Sequence, residues 1–405
     1  MSLTLVMFLV LMCSALLLRV ATSFVRSRAK SLIVIDIIII VFTFSMLSYF
    51  MQPVEGAYTD MDRISHEVDL IRNGQSGLIL SRYSINPLSA LYIGFAALLG
   101  DPNILRLMSC TIMLGCLLYI PYAEWDARRI SQSSYILTSI TTIAICSIPN
   151  MVYGVRQGPA LAIAILGAYL ILMRGKHTSG ITALLIAVLF HFSTIIILIA
   201  VLVSYIKSRF AFGIFCFFAL GYTFISYELA HFFSAMGIEY ASQLLGKMNG
   251  YYSFGSNYSM YASEYSQLAG YMRLGSCIFL YLIYIFLRRH GNSNNFHYAR
   301  YFLLLIFITI GSIPTSTPLR RFSTFALYAS IPFIGYAYSH LLGRSGRATR
   351  MTSITTSASN PRYRYSRTIQ YTLLLLLIGC LGVAMFYDWH TYNMFELSTQ
   401  QYYYI

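Results

Sequence analysis

Charge is scarce in this chain. Lys, Arg, Asp and Glu make up 10% of its 405 residues, well under half of the roughly 25% typical of soluble domains. That shortage excludes an ordinary water-soluble enzyme, and 57% hydrophobic residues exclude a disordered one. Cysteine is sparse too. Cys13, Cys110, Cys116, Cys146, Cys216, Cys277 and Cys380 all lie in apolar runs and none forms a CxxC pair, so no secreted disulfide scaffold or zinc ribbon is written here. Acids are half as numerous as bases, 14 against 28, leaving a net charge of +14. No basic stretch is interleaved with aromatics in a soluble segment, which argues against nucleic acid as a partner. Walker A, GxSxG, HExxH and Rossmann fingerprints are missing; neither ATP nor a dinucleotide cofactor is indicated.

What the chain has instead is apolar runs, at 2–18, 31–51, 85–99, 103–122, 135–153, 157–173, 180–206, 210–233, 271–287, 298–316, 322–342 and 369–388. Many approach the ~20 residues that cross a bilayer, so the pattern predicts an all-α polytopic membrane protein with about ten to twelve transmembrane helices. The whole chain, 1–405, reads as one integral membrane domain. The first run lacks a basic region before it, and Arg19 follows it instead, so it reads as a retained span rather than a signal peptide.

Basic clusters set the orientation. Arg19, Arg26, Arg28 and Lys30; Arg174 and Lys176; Lys207 and Arg209; Arg288 and Arg289; and the six arginines of segment 343–367 are all expected on the cytoplasmic side. Segment 343–367 is a Ser/Thr/Arg-rich cytoplasmic loop that anionic lipid would attract. Segments 51–84 and 234–270 become the two large outer, periplasmic loops; the first carries five acids against three arginines. Two consequences follow. The run 85–99 begins after Pro87 and stops at Gly100-Asp101-Pro102, which predicts a half-helix or an interfacial helix. The run 180–206 has basic residues on both flanks, which predicts a re-entrant, bent helix pair; one long tilted span is the alternative.

Certain residues sit where chemistry would need them. Arg156, in Gly154-Val155-Arg156-Gln157, opens the 157–173 run at its outer end, and Arg320-Arg321 opens the 322–342 run at the same side. An arginine fork binds phosphate oxygens in pairs, so these two places suit a lipid-linked diphosphate; headgroup snorkelling is the plain alternative. His191 lies about 18 Å into a ~30 Å core, deep enough to be functional, as a base or by positioning a hydroxyl. A neutral histidine bonded to a neighbouring helix is the other reading. Asp60-Met61-Asp62-Arg63 in the first outer loop could orient an acceptor hydroxyl, but two acids do not make a metal cage, and no metal is expected. The six tyrosines of 251–271 read as an interfacial belt or a sugar-stacking surface.

Taken together, these segments resemble the Wzy-type polysaccharide polymerases, in particular their EpsG-like branch. Gly154-Val155-Arg156-Gln157-Gly158-Pro159-Ala160-Leu161-Ala162 resembles that family's Gly-x-Arg-Gln-x-x-x-Ala segment. Leu189-Phe190-His191-Phe192-Ser193 is similar to its Phe-His-x-Ser element, and Arg321-Phe322-Ser323-Thr324-Phe325 to its later arginine-led helix start. Where the family has Glu-Pro before its half-helix, this chain has Asn86-Pro87. The resemblance implies a GT-C-like glycosyltransferase of the bacterial inner membrane, active at the periplasmic face in O-antigen or lipopolysaccharide biosynthesis. It would move a growing glycan from undecaprenyl diphosphate onto another lipid-linked repeat unit, needing no nucleotide and no cofactor. Arg156, Arg321 and Arg320 would hold the diphosphate, and His191, or else Asp62, would serve the acceptor hydroxyl. Gln157, Asp60 and Arg63 would add weaker contacts. The implied partners are the lipid-linked oligosaccharide, membrane lipid, a chain-length regulator and a flippase. An O-antigen ligase, a lipid-linked oligosaccharide flippase or other transporter, and a structural partner in an assembly complex are the alternatives.

Overall fold

The computed structural model describes residues 30–50, 60–146, 154–238, 264–288 and 296–342, with residue 245 and scattered positions between 372 and 383. The expected first span, most of 234–270, segment 343–367 and most of 369–388 lie outside the described residues. Among the described residues the chain is helical with no strand. Three helices are long and apolar enough to cross a membrane, or four if a bent pair is one span. The protein is an all-α membrane protein.

Two long helices frame it. Helix α1 (Lys30–Phe50) runs antiparallel to α5 (Asn103–Asp126). Their register is set at one end by Lys30 Nζ on Asp126 Oδ1 at 2.6 Å. Further along, Thr111 donates to Ser45 Oγ at 2.8 Å and Ser48 to the Arg106 carbonyl at 3.1 Å. Beyond them Tyr49 OH donates to Asp101 Oδ2 at 2.6 Å. These hydroxyls meet their bonding needs inside the protein, as an apolar surround requires.

Between α1 and α5 the described residues, 60–102, lead back to Asp101 at the Tyr49 end. Segment 60–84 is folded, not loose: α2 (Asp60–Arg72) and α3 (Ser76–Arg82) lead into α4 (Pro87–Leu99). Pro87 at the first helical position suits a helix start, since its missing N–H has no intrahelical partner there. Gly100 closes α4 with φ 73°, a left-handed cap. Met61, Ile64, Val68, Ile79, Tyr83 and Ile93 bury a small apolar cluster of their own.

Helix α6 (Gln132–Ile145) is followed by α7 (Gln157–Leu172), α8 (His177–Phe190), a 3-10 turn at Phe192–Thr194 and α9 (Ile195–Ser204). Helices α7 and α8 nearly touch: a Cβ on Gly180 would lie 2.8 Å from the Gly167 carbonyl oxygen. The α7–α8 turn belongs to the Lys30 end, where Arg174 donates to the Ala123 carbonyl at 2.8 Å and Arg129 to the Met173 carbonyl at 3.1 Å. Helix α9 returns to that end. His297 Nδ1 meets the Ser204 carbonyl at 2.9 Å, Arg300 donates to the Ile206 carbonyl, and Tyr298 lies within electrostatic reach of Tyr169 and Glu124. Segment 177–204 thus begins and ends at the same end of the bundle.

The second half departs from the sequence reading at its breaks. Helices α10 (Arg209–Leu220) and α11 (Tyr222–Ala235) meet at Gly221 with a 76° bend, so 210–233 is not one straight span. Helix α12 begins at Glu264 and ends at Arg288; α13 is Phe296–Gly311. The run 322–342 is two helices, α14 (Ser316–Ala329) and α15 (Ile331–Leu341), joined at Ser330, with Pro332 in the first turn of α15. Helix α14 starts ahead of the run, so Arg320 and Arg321 occupy its second turn rather than its opening. Large side chains turned outward, such as Phe42 and Phe217, give α1 and α10 the apolar exterior of a lipid-facing surface.

Candidate functional site

The site is built where α2–α4 meet the start of α7 and the tip of the α8–α9 turn. Val155, Ala160 and Phe190 belong to the same buried cluster as Met61, Tyr83 and Ile93. The residues beside Arg156 and His191 therefore share one core. Phe190 packs edge-on against Tyr92, ring centroids 5.0 Å apart.

A helix break exposes backbone groups, and here α4 satisfies them. His191 is extended at φ −151°, ψ 111°, which ends α8. Asn86 Oδ1 accepts from the Phe192 N–H at 2.8 Å, and Ser89 Oγ donates to the Phe190 carbonyl at 2.5 Å. The amide carbonyl of Asn86 thus serves as an acceptor for the turn. Nδ1 of His191 accepts from the Ser193 N–H at 3.3 Å and lies 2.8 Å from Ser193 Oγ. An acceptor Nδ1 places the proton of the neutral ring on Nε2, making Nε2 a donor.

Arg156 is the N-cap residue of α7 and is 8% exposed. Its guanidinium lies over the Tyr83 ring, 4.9 Å from the centroid. Tyr83 OH donates to Glu67 Oε2 at 2.6 Å, and Arg82 Nη1 meets Glu67 Oε1 at 2.6 Å. Glu67 is fully buried, and a carboxylate so placed needs both partners. Burial pushes the Tyr83 phenol well above its usual range; Arg156 opposes that shift, and the bond to Glu67 adds to it. Tyr83 therefore stays protonated and keeps donating. Arg63 is half-buried within electrostatic reach of the same phenol. Asp60 and Asp62 lie on the first turn of α2, and their side chains are outside the described residues. Gln157 opens α7, half-buried.

Arg321 and Arg320 belong to a second neighbourhood, formed by α11, α12 and α14. Arg321 is in electrostatic reach of Tyr222, whose ring packs on Phe322 at 5.3 Å. Arg321 Nε is buried and finds no hydrogen-bond partner among the described residues. Arg273 of α12, 1% exposed, donates to Thr324 Oγ1 at 2.8 Å and to the Arg320 carbonyl at 3.2 Å. Sequence reading passed over Arg273 and Tyr83 and counted Glu67 only among the acids of the first outer loop. Arg273 carried a signal, an ionisable residue inside an apolar run. Glu67 and Tyr83, sixteen residues apart, carried none, because their pairing depends on how α2 and α3 fold back. Among the described residues no group of His, Cys, Asp and Glu gathers closely enough to hold a metal ion.

Comparison of the chain with protein-family models, with characterised proteins and with solved structures finds no match.

Proposed function

We propose that this membrane protein is a Wzy-type polysaccharide polymerase of the bacterial inner membrane. It transfers a glycan from undecaprenyl diphosphate to a second lipid-linked repeat unit at the periplasmic face. The observation that carries the reading is Arg156: buried at the opening of α7, held over Tyr83, and next to Val155, which shares a core with Phe190 at the broken helix. On this reading the Tyr49 end faces the periplasm and the Lys30 end, with Arg129 and Arg174, faces the cytoplasm. The finer architecture, about ten to twelve spans of GT-C type with a re-entrant α8–α9 pair, belongs to this proposal.

The chemistry balances without a nucleotide. The acceptor hydroxyl oxygen bonds to the donor's anomeric carbon, and the bond from that carbon to the diphosphate oxygen breaks. Its electron pair leaves with the diphosphate, whose growing charge Arg156 stabilises, with Arg321 and Arg320 of the second neighbourhood meeting it from the α14 side. The hydroxyl proton goes to a carboxylate, a role this reading assigns to Asp62 on the first turn of α2. His191, donating through Nε2, orients a sugar or phosphate oxygen. Gln157, Asp60 and Arg63 contact the glycan or its headgroup.

The test is a glycan ladder from cells lacking the gene, complemented with wild type, Arg156→Ala or Arg321→Ala. Wild type restores the ladder; each variant inserts normally and yields a single-repeat band. Near-wild-type ladders from both variants would refute the diphosphate role. Loss of even the single-repeat product in the uncomplemented cells would point to a ligase or a flippase.

A further inference from the structure

We infer that Glu67 and Tyr83 are a positioning pair that aims Arg156, an assignment that rests on Arg156 binding the diphosphate. Glu67 is unsuited to take a proton from substrate, because Oε1 is engaged by Arg82 and Oε2 by the Tyr83 hydroxyl, each at 2.6 Å. Both oxygens are committed, and the side chain is fully buried. Its available role is to fix the phenol. A phenol donating to a carboxylate at this distance gains electron density, which makes its ring face more negative. That face lies under the Arg156 guanidinium, 4.9 Å from Cζ to centroid, where a richer ring holds a cation more firmly. The ring lies on one side of the guanidinium and fixes where that cation sits at the cap of α7, so phosphate oxygens that pair with its N–H groups approach from the sides away from Tyr83. The chain of influence runs from a buried acid on α2, through the residue that ends α3, to the cap of α7. It ties the orientation of Arg156 to the folding of the whole 60–84 segment.

The test is binding of farnesyl diphosphate, with inorganic pyrophosphate as competitor, to the purified full-length chain in detergent. Tyr83→Leu, which removes the ring, is expected to weaken binding about 5- to 30-fold. Tyr83→Phe, which keeps the ring and loses the tether, and Glu67→Gln are each expected to weaken it about 3- to 10-fold. Added to Arg156→Ala, none of the three should weaken binding further, since each acts through Arg156. Thermal unfolding separates loss of fold from loss of aim; Tyr83→Phe stands in if Glu67→Gln unfolds. Wild-type affinity in Tyr83→Phe and Glu67→Gln, or a full additional loss on top of Arg156→Ala, would overturn the inference and leave the diphosphate role of Arg156 standing. Unchanged affinity in Arg156→Ala itself would overturn both.

Discussion

Four arginines are buried among the described residues, Arg106, Arg156, Arg273 and Arg300, and they do not all do the same work. Arg300 donates to the Ile206 carbonyl just beyond α9 and stacks against Phe212 and Phe296, at 4.6 and 4.5 Å. It closes a helix end and packs two rings, so its charge is spent on the fold. Arg300→Ala is expected to lower stability by about 1–3 kcal/mol, read as a lower unfolding temperature in detergent. Arg156→Ala should shift that temperature much less while abolishing polymer. Arg156→Lys should recover little activity, because an ammonium cannot reproduce the planar fork or its stacking on Tyr83. At His191, ring replacement should act on rate more than on capture: His191→Ala lowers kcat with KM little changed, and an unchanged rate removes it from the site. Arg156 and His191 were legible in the sequence because each interrupts apolarity in a short, recognisable segment. The partners of Arg156 were not, because contacts between residues far apart in sequence leave no periodic mark.

At the scale of elements, apolar length proved a poor guide to helix length. The runs 180–206, 210–233 and 322–342 each contain a break, at His191, Gly221 and Ser330. Two of these had local signals: an ionisable residue at the first, and Pro332 two residues past Ser330 at the third, where proline favours a new helix start. Gly221 had only a glycine, one among many. Close approach explains what holds the broken pieces. Gly180→Val would drive a side chain into the Gly167 carbonyl 2.8 Å away, and the separation of α7 from α8 should cost about 1–3 kcal/mol in unfolding experiments. Asn86→Ala should release the Phe192 N–H from its 2.8 Å partner. Faster amide exchange at Phe192 relative to neighbouring helix positions would report this; unchanged exchange would mean the turn is held without α4.

For the whole molecule, the proposed orientation makes a direct claim about sides. Lys207 and Asn73 lie toward opposite ends of the bundle, one just past α9 and the other in the turn between α2 and α3. Lys207→Cys should react with a membrane-impermeant thiol reagent only from the cytoplasmic side, and Asn73→Cys only from the periplasmic side. Of the seven native cysteines Cys110, Cys146, Cys216 and Cys277 are buried, and labelling of the chain without either substitution gives the background to subtract. Labelling of both from one side would undo the topology. That the chain is an all-helical membrane protein was plain from composition; how its short helices lean on one another was not, since lipid-facing and protein-facing apolar residues are chemically alike.

The most direct measurement is reconstitution. The purified chain in proteoliposomes, given an undecaprenyl-diphosphate-linked repeat unit and no nucleotide, should release undecaprenyl diphosphate while lipid-linked glycans of two and more repeats accumulate. Arg156→Ala should do neither. Unchanged substrate in the wild-type reaction, or translocation of the lipid across the bilayer with no lengthening of its glycan, would contradict the account.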